Sequence, residues 1–186
     1  MTKEINKAIE VLSQGGLICY PTDTVWSIGC DATNEQAVKK IHDLIKSNGA
    51  ITTICLVAND AMLERYVKNV SDLAYDIMDL ATKPTTIIYD TSKDFAKNVL
   101  DSNGAVAVRV ATDKFCRYLI GKFKKPIVGI SANFVGQPIS KSFKEIDTAI
   151  LAGVDYVVNL HTDKNSNNLS SIIRLGNDGT VKIIRH

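Results

Sequence analysis

Apolar residues along this chain switch between two spacings. Ile5, Ala8, Ile9 and Leu12 recur at three- and four-residue intervals, which predicts a helix ended by Gly15-Gly16. Residues 17–20 then run without a polar break and predict a strand buried on both faces. Pro21 ends its ladder, because proline has no N–H to donate. Thr22, Asp23 and Thr24 place two hydroxyls and a carboxylate at that strand's tip, ahead of a second short apolar run. Thr33-Asn34-Glu35-Gln36 has the form of a capping box, opening a helix with Ala37, Val38, Ile41, Leu44 and Ile45 on its apolar face.

The alternation continues to the end. Helices are predicted from Asn59-Asp60 through Tyr66, after a Ser71 cap, and after a Thr112 cap with Phe115, Cys116, Leu119, Ile120 and Phe123 inward. Ser142-Phe143-Lys144-Glu145 reads as a further capping box. Strands are predicted at 52–58, 85–89, 105–110, 127–130 and 156–160, and a hairpin at 171–175 and 180–184 across Gly176-Asn177-Asp178-Gly179. There is no internal repeat and no low-complexity linker. The expectation is α/β: one domain over residues 1–186, a twisted open sheet mixing parallel and antiparallel strands, with flanking helices.

Composition narrows the function classes. At 186 residues, 45% hydrophobic and 23% charged, the chain can bury a sizeable core. A formal charge of +2 gives no overall basic field for nucleic acid. The first residues, Met-Thr-Lys-Glu-Ile-Asn-Lys, lack the apolar core of a signal peptide, and no apolar run approaches the roughly 18 residues of a membrane span. Cys19, Cys30, Cys55 and Cys116 lie far apart without a Cys-x-x-Cys pair, so buried free thiols in a reducing cytoplasm are expected.

The candidate chemistry is one of binding and orientation. Neither phosphate-loop glycine pattern is present, no metal-ligand spacing occurs, and no nucleophile–base pair can be read. His42, His161 and His186 fall on separate segments, and Lys114, Arg117, Lys122, Lys124 and Lys125 read as a solvated basic face. What remains is a set of small polar groups at expected strand ends: Thr22, Thr24, Ser131, Asn133, Ser170 and Ser171. Arg109 and Arg185 lie within apolar strands, where an arginine needs an anionic partner from the protein or a ligand. Hydroxyls, amides and arginines without a base suit an anionic, polar ligand such as a nucleotide.

The run from Gly15 through Ala32, Gly-Gly-Leu-Ile-Cys-Tyr-Pro-Thr-Asp-Thr-Val-Trp-Ser-Ile-Gly-Cys-Asp-Ala, resembles the opening motif of the YrdC/TsaC family of threonylcarbamoyl-AMP synthases. The likeness continues through Asn34-Glu35-Gln36-Ala37-Val38 with Lys46, Ala107-Val108-Arg109-Val110 and Ser131-Ala132-Asn133 with Gly136-Gln137-Pro138. It ends with Ser170-Ser171-Ile172-Ile173 and Ile184-Arg185, covering nearly the whole chain in one order. The resemblance implies a YrdC-like fold in its short form. It implies an enzyme, a nucleotidyltransferase that makes threonylcarbamoyl-AMP and pyrophosphate from L-threonine, bicarbonate and ATP. The product serves threonylcarbamoyl-adenosine formation in tRNA.

By the same resemblance, Thr24 and Arg109 bind threonine, while Ser131, Ala132, Asn133, Ser170 and Arg185 bind the nucleotide. Lys46 is the catalytic cation on the phosphates. Mg²⁺ comes with ATP rather than in a protein cage. Implied partners are tRNA or other RNA and the machinery that transfers the threonylcarbamoyl group; the implied location is cytoplasmic, with no membrane contact. One segment departs from the pattern. Where relatives carry Lys-x-Arg and then a second lysine, Asn48 takes the arginine position and Thr52 the lysine position. A working synthase then draws phosphate cations from elsewhere, such as Lys83 or Arg174. The alternatives are a divergent paralogue that binds nucleotide with little or no catalysis, and an RNA-binding module.

Overall fold

The computed structural model describes every residue except Asn48, Gly49, Ala50, Lys164, Ser166 and Asn167. The Asn48 substitution therefore lies outside the described residues. In chain order the elements are α1 (Thr2–Ser13), β1 (Ile18–Tyr20), β2 (Ser27–Gly29), α2 (Glu35–Leu44), β3 (Ile54–Val57), α3 (Asp60–Tyr66), α4 (Asp72–Leu80) and β4 (Thr85–Tyr89). Then come β5 (Val106–Val110), α5 (Lys114–Phe123), β6 (Ile127–Val128), β7 (Ile130–Ser131), α6 (Thr148–Ala152), β8 (Tyr156–Val157), β9 (Ser171–Leu175) and β10 (Val181–Arg185).

The mixed α/β expectation holds, and hydrogen bonding divides the strands into two sheets. One runs β7-β2-β1-β8 and the other β10-β9-β4-β5-β3-β6. Parallel pairs (β1 with β8, β3 with β5, β4 with β9) occur beside antiparallel ones in both, alternating strictly only in the larger sheet. Val, Ile and Thr dominate β4 and β5, where β-branched side chains pack well on a pleated, buried surface.

Residues 127–130, expected as one strand, split at Gly129. Ile127 pairs with Leu56 in the larger sheet, while Ile130 pairs with Ile28 in the smaller. Gly129 N–H donates to the Ile54 carbonyl at 2.8 Å. A Cβ there would sit 3.2 Å from the Leu56 side chain and from the Tyr20 hydroxyl. The backbone thus crosses between sheets where a side chain fits poorly. Tyr20 is fully buried beside this crossing, and its O–H donates to the Val128 carbonyl at 2.9 Å.

Three expected caps are corrected. Asn34, not Thr33, caps α2, accepting from the N–H groups of Gln36 and Ala37. Thr33 instead donates its hydroxyl to Asp31 at 2.6 Å. Asp113, not Thr112, caps α5 by accepting from Cys116 N–H. Ser142 opens only a 3-10 turn, Phe143–Glu145, without a side-chain cap, and α6 begins later on an Asp147 cap. In each helix a carboxylate or amide one to five residues on is the better acceptor for the free N–H groups.

The apolar faces of α1, α2, α3 and α5 join the strands in one continuous core. By contrast α4 buries only Ala74 fully and leaves Leu80 exposed. All four cysteines are buried free thiols, and burial pushes Cys19 up to about 12. Among the described residues no helix is long and apolar enough to cross a membrane.

Candidate functional site

The tip of β1 folds back on itself. Thr22 Oγ1 donates to the Val25 carbonyl at 2.7 Å, accepts Thr24 N–H at 3.1 Å, and lies 2.9 Å from Thr24 Oγ1. Both threonines are buried. Between them Asp23 turns towards β5, where Arg109 enters the core. Asp23 Oδ1 lies 3.1 Å from Arg109 Nη2, and Asp23 Oδ2 accepts the Thr112 hydroxyl at 2.7 Å. Arg109 Nε is buried without a partner.

A second arginine arrives from β10. Arg185 Nε donates to the Ser170 carbonyl at 2.9 Å, and Nη2 is 3.2 Å from Ser170 Oγ. Ser170 is fully buried and its hydroxyl also meets that of Thr86 at 2.9 Å. Burial lowers the Arg185 pKa, and the like charge of Arg109 lowers it further.

These side chains surround one cavity of 240 Å³, lined by Thr24, Ser27, Thr52, Arg109, Ser131, Asn133, Ser170 and Arg185 among its polar residues. Its described lining has two arginines and no carboxylate. Ile45, Ile51, Ile54, Ile130 and Ile139 supply an apolar surround, which weakens screening and strengthens attraction to an anion. Asn133 fixes the rim, with Nδ2 donating to the carbonyls of Phe134 at 3.0 Å and Gln137 at 3.1 Å. Its Oδ1 is buried and unpartnered, leaving an acceptor for a donor group.

An adjoining cleft of 620 Å³ shares Asn133, Val135 and Ile139 with this cavity and adds Lys46, Gln137, Ser140, Glu145 and Asp147. Lys46 follows α2 in a left-handed conformation, φ 58°, and its Nζ lies 4.8 Å from the Phe134 ring centre. Pockets for drug-sized ligands run to about 300–1,000 Å³, so the inner cavity alone suits an amino acid and the outer cleft a larger group.

Of the residues singled out in the sequence, Thr24, Arg109, Ser131, Asn133, Ser170 and Arg185 line the inner cavity and Lys46 the outer cleft. Ala132 lines neither. It is buried, its N–H donates to the Trp26 carbonyl at 2.9 Å, and its carbonyl accepts from Ser140. Thr52 is exposed on the cavity wall, where the resemblance implies a lysine. Lys83 and Arg174 do not line the cavity. Lys83 borders a separate cleft, and Arg174 is held by Asp90 at 3.1 Å and Asp101 at 3.0 Å.

His42 also lies away from the cavity, with Nε2 3.3 Å from Thr53 Oγ1 and its pKa lowered by burial. Among the described residues no three His, Cys, Asp or Glu side chains converge on a metal position. Sequence reading missed the Asp23–Arg109 pair and Thr112's bond to it. The signal was present: a charged residue in an apolar strand needs a counter-charge.

Comparison with known proteins gives the family and the fold. The family model Sua5/YciO/YrdC, described as telomere recombination, matches residues 10–186. A protein named threonylcarbamoyl-AMP synthase from Xanthomonas euvesicatoria pv. vesicatoria is 30% identical over 165 residues, covering 87% of this chain and 88% of that protein. The structure of E. coli YciO superposes with a TM-score of 0.86 at 20% identity, over 100% of this chain and 90% of that one. The structure of P. abyssi Sua5 complexed with L-threonine superposes with a TM-score of 0.79 at 23% identity, over 92% of this chain. This chain spans 50% of that Sua5 chain.

Proposed function

The chain belongs to the Sua5/YciO/YrdC family, and on that premise we propose that it is a threonylcarbamoyl-AMP synthase acting as a single domain over residues 1–186. The observation that carries the reading is the convergence of Thr24, Arg109, Ser131, Asn133, Ser170 and Arg185 on one cavity with no carboxylate among its described lining residues. A relative of known structure is complexed with L-threonine, which supports an amino acid as the inner ligand.

In this reading the Arg109 guanidinium binds the threonine carboxylate and Thr24 Oγ1 lies beside it. The threonine amine and bicarbonate form a carbamate, with a C–N bond made and water released. A carbamate oxygen attacks the α-phosphorus of ATP, the α–β phosphoanhydride bond breaks, and pyrophosphate leaves. Ser131 and Asn133 face the nucleoside. Ser170 holds Arg185 towards the forming adenylate. Lys46, from the outer cleft, meets the departing phosphates. Mg²⁺ enters with ATP and neutralises phosphate charge. Catalysis is by positioning and charge stabilisation, since among the described residues the site shows no nucleophile paired with a base.

The product is a mixed anhydride for transfer to an adenosine of tRNA by partner machinery in the cytoplasm. The test is pyrophosphate release by the purified protein with Mg-ATP. The reading predicts release that requires both threonine and bicarbonate. Release that ignores either substrate contradicts it.

A further inference from the structure

Asp23 does not line the cavity, yet it grips a residue that does. Its two oxygens are divided between Arg109 Nη2 and the Thr112 hydroxyl. The side chains of Arg109 and Asp23 are 4% and 10% exposed, so the pair is screened from water. Arg109 is only part satisfied: one nitrogen is anchored, and Nε is buried with no acceptor. A guanidinium anchored to one carboxylate through one nitrogen still has further N–H donors with which to meet a second oxyanion at the cavity it lines.

The neighbouring charge gives this anchor a further role. Arg185 lines the same cavity, and its pKa is lowered in part by the positive charge of Arg109. Asp23, from behind the wall, offsets one of these two charges. The cavity floor then presents the balance that suits one carboxylate rather than a polyphosphate.

We infer that Asp23 and Thr112 are positioning residues for the Arg109 guanidinium, and that they set the inner cavity's preference for a monoanionic amino-acid carboxylate. This rests on the reading of Arg109 as the ligand of the threonine carboxylate. Thr112 orients Asp23, and Asp23 fixes Nη2, which sets the plane in which the rest of the guanidinium meets the ligand carboxylate at the cavity. Because Asp113 caps α5, the Thr112 hydroxyl is left for this purpose. Thr112 is exposed and outside the cavity, so it acts only through Asp23.

The test compares Thr112→Val, Thr112→Ser, Asp23→Asn and Asp23→Asn/Thr112→Val in the pyrophosphate assay, with Arg109→Ala examined by threonine calorimetry. Losing one hydrogen bond to a charged group predicts about a three- to tenfold rise in threonine KM for Thr112→Val. The KM for ATP stays within about twofold, since uniform binding of the nucleotide is untouched. Thr112→Ser restores the wild-type threonine KM. Asp23→Asn raises it by about tenfold or more, the scale expected when a binding group loses its alignment. It also lets inorganic pyrophosphate compete better with threonine. The double variant is no worse than Asp23→Asn, because Thr112 works through that carboxylate.

If Asp23→Asn does not fold, the two Thr112 variants decide the matter, since an exposed hydroxyl is dispensable for folding. Unchanged threonine KM in Thr112→Val, or an equal rise in both KM values, overturns the inference. If Arg109→Ala then still abolishes threonine binding, the assignment of Arg109 survives alone. Full threonine affinity in Arg109→Ala overturns both.

Discussion

Thr52→Lys is the substitution whose consequence follows most directly from the shape of the site. Thr52 is exposed on the cavity wall that also carries Arg109 and Arg185. A lysine there adds one positive charge to the wall of the inner cavity. Opposite unit charges 4 Å apart attract by about 1 kcal/mol in water and about 4 kcal/mol at an effective dielectric of 20. An exposed position lies nearer the first limit, and each 1.36 kcal/mol off the barrier is tenfold in rate. The expected gain in kcat/KM for ATP is therefore about five- to tenfold, below the 10²–10³ of a fully enclosed contact. An exposed substitution changes stability by only about 0.5 kcal/mol, so folding does not confound the rate. Thr52→Gln controls for side-chain length. Pyrophosphate release is measured for both variants at low and high salt, and screening should shrink the lysine's advantage as salt rises. A lysine variant no faster than the glutamine variant, or one that changes only the KM for threonine, refutes the reasoning.

Three further outcomes follow from other parts of the fold. Gly29→Ala places a Cβ 2.6 Å from the Val128 carbonyl oxygen and 2.6 Å from the Tyr20 ring. It should cost about 1–3 kcal/mol, read as a lower midpoint in a thermal melt. Ser170→Ala removes the hydroxyl that meets both Thr86 and Arg185, and should raise the KM for ATP more than that for threonine. Equal effects on both would contradict the division of the site. His42 is held below its ordinary pKa by burial, so on acidification the unfolded chain takes up its proton first. Stability is then lost as pH falls from about 6.5 through the lower folded value. In His42→Gln, melting curves between neutral and mildly acidic pH should show a shallower loss than wild type.

The sequence discloses this protein where one residue's chemistry suffices and falls short where two distant residues compete. β4 and the β9–β10 hairpin were readable because β-branched runs between turn residues have few other uses. The caps at Thr33 and Thr112 were misplaced because Asp31 and Asp23 claim those hydroxyls, and only the fold brings the partners together. The break at Gly129 was hidden for a related reason. An apolar run records burial, not which sheet does the burying, and each half of 127–130 is buried against a different one.

The site divides in the same way. Of the strand-end polar groups and the arginines in apolar strands, Thr24, Ser131, Asn133, Ser170, Arg109 and Arg185 come together on one cavity, while Thr22 and Ser171 do not line it. Their number did not reveal that Ala132 serves through its backbone, or that Lys46 stands in the neighbouring cleft. Nor did it reveal that Arg109 already holds Asp23. Each of these is set by tertiary packing.

The central claim is that the arginine-lined cavity joins threonine, bicarbonate and the α-phosphate of ATP. It is tested most directly by mass spectrometry of the reaction product formed with carbon-labelled bicarbonate. The account predicts an adenylate that contains threonine and one labelled carbon, absent when any one substrate is withheld. Nucleotide consumption that yields only unlabelled AMP or ADP, at the same rate with and without threonine, would contradict it.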